Sequence, residues 1–215
     1  MSKIQKNSFE IVTMPPQNTN SVVVSNGSDC VIFDPWGRAD DWKKYLSQHG
    51  LNLKAIYSTH GHPDHISAAP DLVKEFWVPW YLHSDDFCLL GWGNDLLEYF
   101  GLPKINLNDC TPIALDINTV KILNDLDVQI IEMPGHTPGG VAYYFPTEKF
   151  LLIGDSIFQT SIGRYDLPGG NLQGLMNSIA KIYDMNLPES VRVVHGHGET
   201  TSIGFLRKNN PFFHK

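Results

Sequence analysis

The stretch Thr59-His60-Gly61-His62-Pro63-Asp64-His65 constrains this chain more than any other. It places three histidines and one aspartate within six consecutive residues. Imidazole and carboxylate groups suit zinc, iron or manganese. The apolar run Leu53-Lys54-Ala55-Ile56-Tyr57 precedes it and reads as a buried strand, and a helical pattern begins near Ile66. Ligands at the end of a strand are held by a stiff element, as a metal site requires. A run this short can also turn its ligands to two sides, so one loop could serve two metals.

Ligand-type residues recur at three later strand ends. His136 lies in Met133-Pro134-Gly135-His136-Thr137-Pro138-Gly139-Gly140, where proline and glycine fix a turn. Asp155 ends the apolar run Leu151-Leu152-Ile153. His197 lies in His195-Gly196-His197-Gly198-Glu199, just past the run from Val191 to Val194. Alone, His136 is a polar turn residue and Asp155 a helix cap. Together the candidates number five histidines and two aspartates, enough for two metals if one aspartate bridges.

The patterning between these motifs predicts the fold. Strands are expected over residues 8–13, 21–25 and 30–33, with Asn26-Gly27 as a hairpin turn. A helix is expected from Ala39 to His49, with Trp42, Tyr45, Leu46 and His49 on one stripe and Gly50 as its stop. Ile66, Ala69, Leu72, Val73 and Phe76 make a second stripe, and Val78 to Leu82 a short strand weakened by Pro79. The segment 84–112 reads as short helices and loops, its Phe87, Trp92, Tyr99 and Phe100 either core or an apolar wall of a cleft. Strands at 119–123 and 128–132 flank a turn at 124–127, and a hairpin joins 141–145 to 150–153. Helices are expected over 172–183 and near 201–207; the former carries Leu172, Leu175, Met176, Ile179, Ile182 and Tyr183 on one face. The two halves echo one another: each has a hairpin ending in aspartate (Asp34, Asp155), and later a helix, a strand and His-Gly-His. Two hairpin-rich sheets, each covered by helices, predict one α/β domain over 1–215, a four-layer α/β/β/α sandwich.

Composition narrows the class. The net charge of −7 argues against a nucleic-acid surface. Cys30, Cys88 and Cys110 are too few and too dispersed for a disulfide framework, which fits a reducing compartment. Neither an apolar leader nor a run of membrane-spanning length is visible, so a cytoplasmic location without membrane partners is expected.

The HxHxDH stretch, Pro134-Gly135-His136-Thr137-Pro138-Gly139, Gly154-Asp155-Ser156-Ile157-Phe158 and Gly196-His197-Gly198 together resemble the metallo-β-lactamase superfamily. Within it the chain is similar to the glyoxalase II (hydroxyacylglutathione hydrolase) branch. Ser161-Ile162-Gly163-Arg164-Tyr165-Asp166-Leu167-Pro168-Gly169-Gly170, Arg207 and Asn210-Pro211-Phe212 resemble its short bacterial members, which lack the C-terminal helical domain of the full-length enzymes. The resemblance implies one metal on His60, His62 and His136 and a second on Asp64, His65 and His197, with Asp155 bridging. It makes Asp34 a hydrogen-bonding support. Arg164, with Tyr165 beside it, becomes the candidate substrate contact, although the tyrosine that meets glutathione in the family falls on Asp166 here. His195 stands where the family usually has proline and reads as a strand-end residue.

The implied activity is metal-dependent hydrolysis of a small glutathione-type thioester, with two divalent ions, most simply Zn2+, Fe and Mn being the other choices. A water shared by the metals would lose its proton near neutral pH and attack the carbonyl, with Asp64 and Asp155 as the catalytic carboxylates. The alternatives are a mononuclear-iron persulfide dioxygenase of the same branch, a hydrolase of another ester or thioester, and a non-catalytic metal-binding module.

Overall fold

The computed structural model describes residues 7–15, 17–105, 110–123 and 125–214. Asn124 of the expected turn, residues 106–109 of the aromatic-rich segment and the first six residues lie outside that range. The first sheet has six strands in sequence order: β1 (Ser8–Met14), β2 (Thr19–Asn26), β3 (Asp29–Phe33), β4 (Asn52–Tyr57), β5 (Trp80–Leu82) and β6 (Ile113–Ala114). Its first two pairings are antiparallel and its last three parallel. The second sheet runs β13 (Thr201–Ser202), β12 (Arg192–His195), β11 (Phe150–Gly154), β10 (Val141–Phe145), β9 (Gln129–Glu132). There β11 and β12 are parallel.

Period-two alternation sorts the side chains into three cores. Val23 and Ile32 face helices α1 (Ala39–His49) and α3 (Ala69–Phe76), meeting Trp42, Leu46 and Leu72. Val22, Val24, Val31 and Phe33 point the other way, onto Tyr143, Phe145 and Leu152 of the second sheet. Leu151, Ile153 and Val193 face helices α5 (Leu172–Asp184) and α6 (Ile203–Asn209). Three apolar layers between four layers of structure make the expected α/β/β/α sandwich. Each large side chain so buried contributes about 1.5–3 kcal/mol relative to exposure.

Local differences from the sequence reading have physical causes. The helix expected from Ile66 is two pieces, α2 (Pro63–Ile66) and α3, because Pro70 at the start of α3 lacks the N–H that a continuous helix needs there. Asn26 stays paired with Asp29, so Gly27 (φ +66°) takes the first corner of the hairpin turn. The strand pair at 119–132 is split. β7 (Lys121–Ile122) pairs with β8 (Leu126–Asp127), while β9 continues into the second sheet. Thr201–Ser202 is a strand rather than helix, and Ser202 caps α6 by accepting from Phe205 N–H. Leu172, in the first turn of α5, is 43% exposed. Ser178 takes a buried place on that face instead, its hydroxyl donating to Pro134 O at 2.7 Å. Phe87 and Phe100 pack on the first core, whereas Tyr99 is exposed. A short 3-10 turn, Ser84–Leu89, and α4 (Asn94–Tyr99) account for the helical parts of this segment. No helix among the described residues is long and apolar enough to cross a membrane.

Candidate metal centre

The C-terminal ends of β3, β4, β9, β11 and β12 meet at one edge of the sandwich, each leading into a loop with a candidate residue. The sheets are joined there by Val141 N–H donating to Thr59 O at 2.8 Å. All seven candidate ligands converge. The ligand atoms of His60, His62 and His136 lie within 4.8 Å of one another, as do those of Asp64, His65 and His197 and those of His60, His65 and Asp155. Asp155 sits between the first two groups, its carboxylate 3.8 Å from His136 Nε2 and 3.5 Å from both His65 Nε2 and His197 Nε2.

The hydrogen bonds behind these side chains fix their tautomers. Asp34, fully buried at the end of β3, accepts from Thr59 N–H at 2.6 Å, Thr59 Oγ1 at 2.7 Å and His65 Nδ1 at 3.0 Å. The Thr59 hydroxyl, its proton spent on Asp34, is left to accept from His60 Nδ1 at 3.0 Å. His136 Nδ1 donates to Arg164 O at 2.6 Å. With Nδ1 protonated in all three, each Nε2 becomes a lone pair aimed at the cluster once the ring is neutral. Nε2 of His60, His62, His65 and His136 and Oδ1 of Asp155 are all buried without a hydrogen-bond partner. Leaving a buried polar atom unsatisfied costs about 1–3 kcal/mol. Five such atoms around one space, with two carboxylates in the cluster, fit a cation that they share; the ligand set suits zinc, iron or manganese.

Charge is distributed unevenly. Burial holds His62 down to about 3 and, with the neighbouring imidazoles, His60 well below the usual histidine range. Burial acts the same way on His65, but Asp64, Asp155 and Asp34 overcome it and hold its pKa well above that range. His197 is likewise opposed by burial, and its bonds to Asp155 and Asp64 carry it up to about 9. Burial would raise both carboxyls, but the charge on His65 and the bond to His197 keep Asp64 and Asp155 below the ordinary carboxylate range. Protons therefore compete with a cation mainly at His65 and His197.

A cleft of about 410 Å³ opens onto the cluster beside His62, Asp64, His136 and Asp155. Its apolar wall includes Trp92, whose ring lies 5.6 Å from that of His62, with Leu96, Leu167 and Phe158. Arg164 also lines it, but its guanidinium is held by Asp166 through two bonds of 2.9 and 3.0 Å. Tyr165 is exposed and lies outside that lining. His195 is buried at the end of β12, its Nδ1 3.3 Å from His197 O.

Two residues that hold the site together carry no motif. Asn20 donates to His195 O at 2.9 Å and Gly198 O at 2.7 Å, tying the His197 loop to the first sheet. Asp86 bonds the loops of His60, His62 and His136. Their partners are far off in sequence, so only a folded chain reveals them.

Known proteins give this arrangement a family. The chain is 32% identical to the hydroxyacylglutathione hydrolase GloC of Haemophilus influenzae over 198 residues, 91% of this chain and 92% of that one. It superposes on the BLEG-1 B3 metallo-beta-lactamase with a TM-score of 0.85 at 35% identity, covering 97% of this chain and 100% of the other. On TTHA1623 in a di-iron-bound form the TM-score is 0.82 at 32% identity, covering 94% and 99%. The family model of the metallo-beta-lactamase superfamily spans residues 14–197, and the chain belongs to that superfamily.

Proposed function

We propose that this protein is a binuclear metal-dependent thioesterase acting on a small glutathione-type thioester. The observation that carries the reading is the set of buried imidazole Nε2 atoms left without partners around Asp155. His60, His62 and His136 would hold one ion and Asp64, His65 and His197 the other, with Asp155 between them. Bound ions supply acidification of a water and polarisation of the carbonyl it attacks. The di-iron form of TTHA1623 makes iron as reasonable a native metal as zinc.

The chain's own groups do the rest. Asp64 lines the cleft, where its carboxylate can accept a hydrogen bond from an attacking water and orient it. Asp34 and Thr59 keep the His65 and His60 lone pairs directed at the cluster. Trp92, Leu96 and Leu167 exclude water from one side of the cleft and suit the apolar stem of an acyl or thiol group. The thioester assignment draws its support from the GloC relative.

A second reading, hydrolysis of a β-lactam amide, is favoured by the 35% identity to BLEG-1. The test is thiol release from S-lactoylglutathione by metal-loaded protein, beside a chromogenic cephalosporin and with dissolved oxygen monitored. Thiol release that is abolished by a chelator and restored by Zn2+ or Fe2+ supports the proposal. Turnover of the cephalosporin alone favours the lactamase reading, and oxygen uptake the dioxygenase.

A further inference from the structure

Asp86 lies in the 3-10 turn Ser84–Leu89, and its side chain is fully buried. Its Oδ2 accepts from Gly61 N–H at 2.8 Å and from the Thr137 hydroxyl at 2.8 Å, and its Oδ1 accepts from Gly139 N–H at 2.5 Å. Gly61 separates His60 from His62, and Thr137 follows His136. One carboxylate thus joins the two loops that carry the three-histidine group. The fit is close on both sides. A Cβ at Gly61 would come within 3.0 Å of Asp86 O, and one at Gly139 within 2.8 Å of Asp86 N. Burial pushes the Asp86 carboxyl up, while its bonds to Gly139, Thr137 and Gly61 pull it back. Two of the three partners are N–H groups that can only donate, so the geometry satisfies the ionised form.

We infer that Asp86 is a positioning residue for the metal centre, setting the spacing between the His60/His62 loop and the His136 loop and through it the metal affinity of those three histidines. This rests on the metal-centre reading above. It separates the two groups of ligands, because Asp86 bonds neither the His197 loop nor Asp64 among the described contacts.

The experiment titrates chelator-stripped protein with Zn2+ and follows histidine side-chain nitrogens by NMR, alongside the melting temperature of the metal-free protein. The variants are Asp86→Asn, Thr137→Val and Thr137→Ser. Asn leaves one N–H facing an amide donor, so affinity at His60, His62 and His136 should fall about tenfold or more, the range for lost support behind a ligand. Affinity at His197 should change less than about twofold, within additivity error for an independent site. Thr137→Val should show a smaller loss at the same three histidines, and Thr137→Ser, which keeps the hydroxyl, should restore the parent. If Asp86→Asn does not fold, the Thr137 pair alone decides. Equal losses at both groups in step with a lower melting temperature, or unchanged affinity at the three histidines, would overturn the inference. If parent protein shows no Zn2+ shift at any of these histidines, the metal-centre reading itself fails.

Discussion

Asp34→Asn isolates the role of a tautomer from that of a fold. Asp34 has φ +51°, a conformation asparagine also tolerates, and the two side chains have the same shape. Asparagine has one acceptor oxygen where aspartate has two. Thr59 N–H can only donate, so the amide oxygen must occupy the Oδ1 place, 2.6 Å from that nitrogen. The NH2 group then faces Thr59 Oγ1 and His65 Nδ1, which lie 2.7 and 3.0 Å from Oδ2 in the parent. The hydroxyl can accept, but His65 Nδ1 must give up its proton to do so. The ring proton moves to Nε2, the atom 3.5 Å from Asp155 and 3.7 Å from Asp64. Restoring the ligand tautomer would set two donors against each other in a fully buried place, at a cost of about 1–3 kcal/mol. That corresponds to about a 5- to 150-fold loss of metal affinity at the group containing His65. Calorimetric titration of stripped protein with Zn2+ gives the affinity, and nitrogen NMR of His65 gives the tautomer. Parental affinity at both groups with His65 still protonated at Nδ1 would refute the reasoning.

Other consequences are equally specific. A methyl at Gly196 would overlap Asp155 Oδ1 and crowd the His65 ring, so Gly196→Ala should bind metal at the three-histidine group and lose the second equivalent; two equivalents after saturation and desalting would contradict this. His197 is raised from 6.5 to about 9, so its bound proton stabilises metal-free protein fully below pH 6.5 and ceases to do so as pH rises through about 9. The melting temperature of stripped protein should therefore fall across that window, and a flat or rising profile measured by scanning fluorimetry counts against the charge assignment. Arg164 and Asp166 are both largely exposed, so Arg164→Ala should leave the melting temperature unchanged and raise KM for an anionic thioester only about two- to fivefold. Asp166→Asn frees the guanidinium and should lower that KM; identical behaviour of an uncharged thioester would show that Arg164 does not read charge.

The chemistry of the site was legible because its residue types are rare and local. His60, His62, Asp64 and His65 lie on one loop, and His136, Asp155 and His197 each come a few residues after an apolar run that reads as a strand. The sandwich was legible for a related reason. Val22 to Val24 and Val31 to Phe33 have side chains buried on both faces, which requires a layer on each side. Where polar atoms replaced apolar ones in the interior, the pattern misled. The apolar stripe of α5 includes Leu172, yet Leu172 is exposed and Ser178, whose hydroxyl donates to Pro134 O, is buried on that face.

The residues that hold the ligand loops could not be read in this way, and the reason is geometric. Asp86 belongs to a Ser-Asp-Asp run that looks like a helix start, and its partners are 25, 51 and 53 residues away. Asn20 reaches 175 and 178 residues along the chain. Ligands must gather around a cation, so their spacing along strand ends is constrained; supports need only meet a backbone N–H or C=O, which every residue offers. A support can therefore come from any loop that the fold happens to bring near. Its signature is structural: a buried side chain whose partners are backbone groups of two different ligand loops, or of one such loop and a sheet. By that criterion Asn20 and Asp86 form one class, whereas Asp34 bonds a ligand side chain directly, and each acts on a different part of the centre: the His197 loop for Asn20, the three-histidine group for Asp86, and His65 with the Thr59–His60 link for Asp34. Metal affinity at the two groups should then be separable by substitution behind the ligands, without altering any ligand.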